Sequence, residues 1–501
     1  MGNPLFATKP LNRLLAEAQE TGEHSLKRTL GPVNLILLGI GAIIGAGLFV
    51  RTAAAAAQNA GSGVTIGFVI AGFGCLFAGL CYAELASMIP IAGSAYTYSY
   101  ATLGELVAWI IGWDLVLEYA LGAATVAIAW SEYLNRLLNI FGGSIPYEWS
   151  HSPMDSATNA MTGATVHGIM NIPALFIIFL LTMLLIRGTK ESAIVNGVIV
   201  VAKVAIVLLI IFFGWSYMNP AYHTPYIPDA TIYVDAQGVD HHFGGLVGLL
   251  GAAGVVFFAF IGFDAVSTAA QETKNPGKDM PIGILGSLAV CTVLYILFAH
   301  VLTGLAPVDF FRHAGKEASV AAAISTYMPG FGWLSNFVTV AILGGFSSVI
   351  LVMLMGQSRV FYSMSKDGLV PKAFSAVHPK YRTPYKSNML FFVFVGLFAS
   401  FIPGDIVGDM TSIGTLFAFV LVSAGVIVMR KTNPDAKRAF RTPMVPLVPI
   451  LGIVVCLSMI YGLGWANWAR LIVWLLIGFI IYFSYSRKHS VMAKARAEGT
   501  A

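Results

Sequence analysis

The sequence predicts an all-α polytopic membrane protein with twelve transmembrane helices, and two observations carry that prediction. First, the 501 residues are 57% hydrophobic and only 11% charged, whereas a soluble protein of this length has about 25% charged residues. The mean hydropathy of +0.78 points the same way. Second, the apolar runs are long and apolar on every face, which excludes membrane strands because these alternate over short segments.

The chain divides into four parts by its hydropathy and charge. The first 30 residues are polar and basic and do not resemble a cleavable signal. Within them, residues 13–30 are expected to form an amphipathic helix on the membrane surface. The other parts are a membrane-spanning core at 31–430, in which two five-helix repeats are expected (about 33–218 and 245–429), two additional membrane helices at 431–487, and a cytoplasmic tail at 488–501.

The charges flanking the apolar runs set the expected orientation. With the N-terminus in the cytoplasm, 23 of the 29 Lys and Arg lie on the cytoplasmic side, 5 lie outside, and Lys203 remains inside a span. The positive-inside rule therefore predicts cytoplasmic termini, and the membrane is expected to be the cell (inner) membrane. The predicted spans are about 33–57, 64–88, 104–138, 170–187, 192–218, 245–270, 281–305, 333–362, 388–403, 405–429, 445–464 and 467–486.

Span 1 contains a glycine-rich stretch, GIGAIIGAGLF, at residues 39–49. Glycines permit an unwound segment and leave main-chain amides uncovered. The alternative is that small residues allow close helix packing. Taken alone, this stretch favours neither interpretation.

Span 6 favours an interrupted helix, because Gly262 and Asp264 also break an apolar run at mid-depth. Spans 1 and 6 are five spans apart, so the second set of five helices is inverted relative to the first. Paired broken helices at matching positions of inverted halves indicate a transport site.

The chemistry of two broken helices suits an amino acid. A carboxylate suits the freed amides of Gly45, Ala46 and Gly47 at a positive helix end. A primary ammonium suits the freed carbonyls of the other break. The expected substrate contacts in the main chain are those three residues with Ile43, Phe258, Ala259 and Ile261.

Lys203 lies in the apolar run of span 5, from Ser192 to Met218, which has no acidic residue. Its ammonium would lie about 17 Å along the helix from Ser192, too deep to reach the interface easily. An ionisable group at that depth costs about 2.5–3.5 kcal/mol or more, which marks a functional position. Lys203 is either permanently charged, or deprotonated in each cycle, or exposed to a water-filled crevice with little role.

Five stretches of the chain follow a recognisable pattern: GIGAIIGAGLF, CYAELASMIPIAGSAYTY, GWDLVLEY, FFAFIGFDAVSTAAQETKNPGKDMPIGI and GQSRVFYSMSKDGLVPK. In these stretches the chain resembles the amino acid–polyamine–organocation transporters, and within them the bacterial members of the cationic amino acid transporter family. The resemblance covers residues 28–490.

The resemblance implies a leucine-transporter-like fold, with a five-plus-five inverted repeat and two extra helices, and proton-coupled amino acid uptake. It also implies that Lys203 replaces the sodium ion that related transporters bind against span 1, and that Glu118 in span 3 faces the substrate pocket. This chain departs from many relatives at Ala46, where they carry Thr or Ser. A substrate hydroxyl contact is therefore missing there.

Three further side chains have two interpretations each. Asp264 is either a coupling group or a cap for the second half-helix of span 6. Asp114 is either functional or a structural hydrogen-bond partner. Phe346 in span 8 either shortens the pocket, in which case Phe346→Ser would admit longer side chains, or packs in the core.

The favoured function is a secondary active transporter, an amino acid:proton symporter for small neutral and possibly cationic L-amino acids. The alternatives are an exchanger without proton coupling and a sensor that binds but does not transport. An enzyme is not expected, because no catalytic or metal-ligand constellation is visible in the spans. The expected partners are the amino acid, protons and membrane lipids, with no nucleic acid and no cofactor; a small accessory subunit is left open.

Overall fold

The computed structural model describes residues 4–18, 26–45, 47–158, 165–234, 240–313, 319–403, 411–462 and 465–497. The described residues of the apolar runs are helical apart from short interruptions. In this described part of the chain, eight continuous helical stretches are long and apolar enough to cross a membrane, and four shorter apolar helices complete the twelve predicted spans. The prediction of an all-α polytopic membrane protein is confirmed.

The first half of the chain forms spans 1–5 and the short helices around them. Span 1 consists of α2, then a π-helical turn at Gly47–Arg51, then α3 and a second π-helical turn at Ala56–Ala60. The helices in order are α1 (Leu11–Ala18), α2 (Pro32–Ile43), α3 (Thr52–Ala55), α4 (Val64–Met88), α5 (Ala95–Thr102), α6 (Glu105–Ile140), α7 (Ile172–Arg187) and α8 (Thr189–Trp215).

The second half contains spans 6–12. Span 6 consists of α9 followed by 3₁₀ turns at Phe258–Phe260 and Asp264–Glu272. The helices are α9 (Gly245–Phe257), α10 (Pro276–Leu305), α11 (Val308–His313), α12 (Ser319–Tyr327), α13 (Gly332–Lys366), α14 (Tyr385–Phe401), α15 (Thr411–Thr432), α16 (Leu447–Gly462), α17 (Trp465–Ile481), α18 (Arg487–His489) and α19 (Val491–Ala497).

The long loops after spans 3 and 5 each contain an antiparallel hairpin, which the sequence did not predict. In the first, β1 (Ser156–Thr158) pairs with β2 (Thr165–His167). In the second, β3 (Thr231–Val234) pairs with β4 (Asp240–Phe243). Gly244, which follows β4, bonds to Asn59 O and so attaches the second hairpin to the end of span 1.

The spans pack in two groups of four. In the first group, α10 lies against α2 and α4, and α4 lies against α9; these are spans 1, 2, 6 and 7. In the second group, α6, α7, α13 and α14 pack on one another; these are spans 3, 4, 8 and 9. Span 5 (α8) contacts α2 and α10 of the first group and α13 of the second.

The first and last described segments of the chain lie on one face of the bundle, which we call the terminal face. The Lys9 ammonium binds the Asp367 carboxylate at 2.5 Å, and Val491 N–H donates to Asp367 O at 3.0 Å. The expected helix at 13–30 is wrong in extent. Helix α1 ends at Ala18, Leu26–Thr29 are not helical, and the apolar side chain of Leu14 is buried against the protein.

The buried ammonium of Lys9 holds this N-terminal segment in place. It bonds to Asp367 and, at 2.6 Å, to Glu17. Burial lowers the pKa of Lys9, but the two carboxylates outweigh it and raise the pKa above its ordinary value. Because a raised lysine pKa keeps the ammonium charged up to that value, the stabilisation is fully present below the ordinary pKa and is lost only above the raised one.

We therefore expect Lys9→Met to destabilise the protein by about 3–5 kcal/mol, because it leaves the buried Asp367 carboxylate and the partly buried Glu17 carboxylate without their cation. Thermal unfolding of the purified protein measures this, and the loss should be constant from neutral pH up to 10.5 and smaller in acid, where Glu17, whose pKa is raised by burial, loses its charge. Lys27→Met, at an exposed lysine of the same segment, is the control. Equal melting temperatures for the two variants would contradict the structural role of Lys9.

Candidate functional site

The break in span 1 frees three carbonyls at the centre of the bundle. Helix α2 ends at Ile43, Ile44 adopts an extended conformation (ψ 102°), and helical structure resumes at Gly47. The carbonyls of Gly41, Ile43 and Ile44 accept hydrogen bonds from side chains of other helices. Ala46, an expected substrate contact, lies outside the described residues.

The break in span 6 lies at Ile261–Phe263. Ile261 is extended (φ −57°, ψ 134°), and Gly262 has a φ of 111°, a conformation that other residues rarely adopt. The second half of the span is a 3₁₀ helix rather than an α-helix. The hydroxyls of Ser267 and Thr268 donate to carbonyls three residues earlier, both at 2.6 Å, and such bonds compete with α-helical ones.

The two breaks touch each other. A Cβ atom on Gly47 would lie 2.3 Å from Ala259 Cα, and one on Gly262 would lie 2.9 Å from Ala42 Cβ. The Tyr295 hydroxyl of α10 lies between them, 2.8 Å from Ile43 O and 2.9 Å from Ala259 O. A phenol has one proton, so it donates to one of these carbonyls at a time. Sequence reasoning missed Tyr295, a polar group in an otherwise apolar part of span 7.

A narrow cavity of about 20 Å³ adjoins the two breaks. Its lining brings together five of the predicted contact residues, with side chains from α6 and α13. Every lining side chain in the described part of the chain is apolar or absent. The lining residues are Ala42, Ile43, Gly45, Gly47, Gly122, Val126, Phe258, Ile261, Val349 and Met353.

Lys203 is fully buried and binds the break in span 1 directly. Its ammonium donates to Ile44 O at 2.8 Å, to Gly41 O at 3.0 Å and to Ser348 Oγ at 3.2 Å. Ser348 Oγ lies 2.8 Å from Gly41 O and 2.9 Å from the Asn196 side-chain oxygen. The ammonium therefore occupies a ring of oxygens that joins α2, α8 and α13, a setting typical of a bound cation.

Three buried carboxylates lie near the break in span 6. Asp264 accepts a hydrogen bond from Tyr119 OH at 2.6 Å, while its other oxygen has no partner among the described residues. Neither oxygen of Glu118 meets hydrogen-bond geometry there, and Thr415 of α15 is the hydroxyl facing it. Asp114, one turn earlier, packs against Gly414, with one oxygen unpaired.

Three predicted contact residues do not line the cavity. Glu118 and Ala259 are buried behind it, with Ala259 covered by Gly47. Phe346 lies one turn before Val349 on α13, is fully buried, and packs edge-on against Tyr133 with the ring centres 5.5 Å apart. Within the described residues, no group of three or more His, Cys, Asp or Glu could hold a metal ion.

The amino acid permease family matches residues 30–485. The chain is 46% identical to a branched-chain amino acid permease of Bacillus subtilis (strain 168), over 98% of this chain and 99% of that one. It is 41% identical to a methylthioribose transporter of the same organism, over the same shares. It is also 37% identical to the chloroplastic cationic amino acid transporter 9 of Arabidopsis thaliana, over 82% of this chain and 68% of that one.

The match spans all twelve membrane helices, and the related proteins are transporters rather than enzymes. The chain therefore belongs to the amino acid permease family, within the amino acid–polyamine–organocation superfamily, and is a multi-pass membrane protein that transports amino acids.

Proposed function

We propose that the protein is an amino acid:proton symporter for neutral aliphatic L-amino acids, from alanine to the branched-chain residues. The observation that carries this proposal is the cavity at the two breaks, which combines the main chain of both interrupted helices with an apolar lining. The main-chain groups suit the charges that all amino acids share, and the aliphatic side chains select among them. The name of the Bacillus subtilis relative supports the branched-chain class.

The lining argues against cationic substrates, which the sequence left open. A lysine or arginine side chain would place its charge among Val126, Val349 and Met353. Burying a charge without a partner is costly, and none of the lining side chains in the described chain is acidic.

Proton coupling is proposed from Lys203 and Asp264. The Lys203 ammonium donates to two main-chain oxygens of span 1, so a change in its charge would change the conformation of the break. Asp264 lies directly after the break in span 6 and bonds to Tyr119 of span 3. Protonation of either group would change contacts between the two packed groups of helices, which is what a symporter requires.

Alternating access is proposed to arise from relative movement of those two groups. In the first group, spans at matching positions of the two expected repeats pack together: span 1 packs against span 6, and span 2 packs against span 7. The same holds for spans 3 and 8 and spans 4 and 9 in the second group. This supports the expected repeats at about 33–218 and 245–429. From the positive-inside rule, we propose that the terminal face is cytoplasmic in the cell membrane.

Uptake into proteoliposomes tests the proposal. Labelled alanine, valine, isoleucine, lysine and methylthioribose would be compared with and without an inward proton gradient. We expect the gradient to drive the neutral amino acids above equilibrium and to leave lysine and methylthioribose near background. Uptake that never exceeds equilibrium, or that depends only on amino acid inside the vesicle, would instead establish an exchanger.

Val126→Phe tests whether the cavity holds the substrate side chain. Val126 is buried on α6 and lines the cavity. A phenyl group there would fill space that isoleucine needs, at a cost of about 1–3 kcal/mol. We expect isoleucine uptake to fall roughly tenfold or more and alanine uptake to fall much less. Because both are measured in one variant, an equal loss would place the side chain elsewhere.

A further inference from the structure

Glu272 joins four parts of the chain at the terminal face. It ends the 3₁₀ half of span 6, and its side chain is fully buried. Its carboxylate accepts from Thr189 Oγ1 at 2.5 Å and from Arg359 Nη2 at 3.0 Å through one oxygen, and from Arg359 Nε at 3.2 Å through the other. Its carbonyl accepts from the N–H groups of Thr29 and Leu30, at 2.8 and 2.9 Å.

The ion pair connects the two packed groups of helices. Glu272 continues span 6, which belongs to the first group, whereas Arg359 lies on α13 of the second group. Thr189 begins α8, which touches both groups. Glu272 and Arg359 are each fully buried. A buried pair gains little net stability, but it becomes strongly unfavourable when either partner is left alone. Such a pair favours one arrangement of the two groups over all others.

The main-chain bonds of Glu272 and of the two residues after it lie within the first group of helices. Leu30 pairs with Thr273 in a parallel bridge, and Lys274 N–H donates to Leu30 O at 2.9 Å. The start of span 1 and the end of span 6 are therefore fastened together and would move as one unit. Movement of the first group of helices relative to the second would break the contacts of the Glu272 side chain with Thr189 and Arg359.

We propose that the Glu272–Arg359–Thr189 cluster is the latch that closes the terminal face beneath the cavity. Arg359 follows Met353, a lining residue, by six positions on α13, which places the latch about 9 Å from the cavity along that helix. Glu272 is a positioning residue: it touches no substrate and acts by holding span 6 against α13. The proposal rests on the alternating access proposed above.

A second buried carboxylate on the terminal face provides the matched control. Glu84 of α4 accepts two bonds from Arg430 at 2.8 Å, one from Arg438 at 3.1 Å and one from Thr442 N–H at 2.7 Å. It is as buried as Glu272 and has more partners. However, it attaches α4 to α15 and the segment after α15, without a contact to the second group in the part of the chain described. Its loss should destabilise the protein without opening the terminal face.

A reporter cysteine distinguishes the two clusters. Ser363 lies one turn beyond Arg359 on α13. It is buried in this structure and lines a small pocket at the terminal face. The four native cysteines are buried, so background labelling should be low. Ser363→Cys would be introduced into the wild-type chain and into chains carrying E272Q, R359Q, E272Q with R359M, or E84Q. The rate of labelling by a charged maleimide would be measured on purified protein in nanodiscs.

We expect E272Q, R359Q and the double variant to raise the labelling rate about tenfold or more, and E84Q to leave it unchanged. The double variant removes both charges and so avoids an unpaired buried ion. An unchanged rate in all three latch variants, or an equal rise with E84Q, would overturn the proposal. The labelling needs no substrate, so it stands apart from the uptake assay: failure of uptake with a rise in labelling would refute the transport proposal and keep the latch.

Discussion

Lys203→Ala is expected to abolish proton-driven accumulation while the protein still folds. The ammonium donates to Gly41 O and Ile44 O at the break in span 1. Hydrogen bonds to a charged group contribute about 1.5–3 kcal/mol each. Without the ammonium, Gly41 O keeps only the Ser348 hydroxyl, and Ile44 O loses its side-chain donor. The shape of the break would then no longer depend on a charge at this position.

The measurement is the ratio of internal to external labelled isoleucine in proteoliposomes under an inward proton gradient. For Lys203→Ala the ratio should fall to about one, while counterflow of amino acid without a gradient should persist at a reduced rate. Lys190→Ala, at an exposed lysine on the same helix, is the control and should accumulate substrate as the wild type does. Concentrative uptake by Lys203→Ala at the wild-type level would remove Lys203 from the coupling mechanism.

Gly47→Ala is expected to weaken substrate binding roughly a hundredfold through steric overlap alone. The new Cβ would lie 2.3 Å from Ala259 Cα, 2.7 Å from its Cβ and 2.9 Å from its main-chain nitrogen. These are atoms of the opposite break rather than the end of a flexible side chain, so the two breaks must separate. Overpacking of this kind costs about 3 kcal/mol or more, which corresponds to roughly a hundredfold loss of affinity.

Gly254→Ala is the matched control, because a Cβ there would meet nothing within 4 Å. Gly254 lies in α9, the half-helix that leads to Ala259. An alanine in that helix should be neutral or slightly stabilising. Isoleucine binding to the purified protein, measured by calorimetry, should be strongly weakened in Gly47→Ala and retained in Gly254→Ala. Retained binding in both variants would show that the substrate site does not require contact between the breaks.

The sequence predicted the breaks because each one depends on a local property. The glycines of span 1 and Gly262 of span 6 permit conformations that other residues resist, and that signal is readable without a structure. The length and polarity of the spans are equally local. The depth of Lys203 follows from its position within an apolar run, and its contact with span 1 was implied by family resemblance.

Contacts between spans could not be predicted in the same way. A helix that is apolar on every face gives no sign of which side meets a neighbour. For this reason the placement of Phe346 one turn away from the cavity, and the bonds of Tyr295 to both breaks, required the structure. The pairing of Glu272 with Arg359 was also hidden, because the partners lie 87 positions apart in the chain.

The cation at the break in span 1 belongs to the Lys203 side chain, so this position exchanges with solution differently from a metal site. A metal ion held by the same oxygens would come and go with its concentration in the medium. The ammonium of Lys203 is attached through its own helix and cannot diffuse away, so its occupancy is fixed at one per molecule. If proton coupling at Lys203 holds as proposed, we expect this position to exchange only a proton with solution, so that uptake depends on pH rather than on the sodium concentration of the medium.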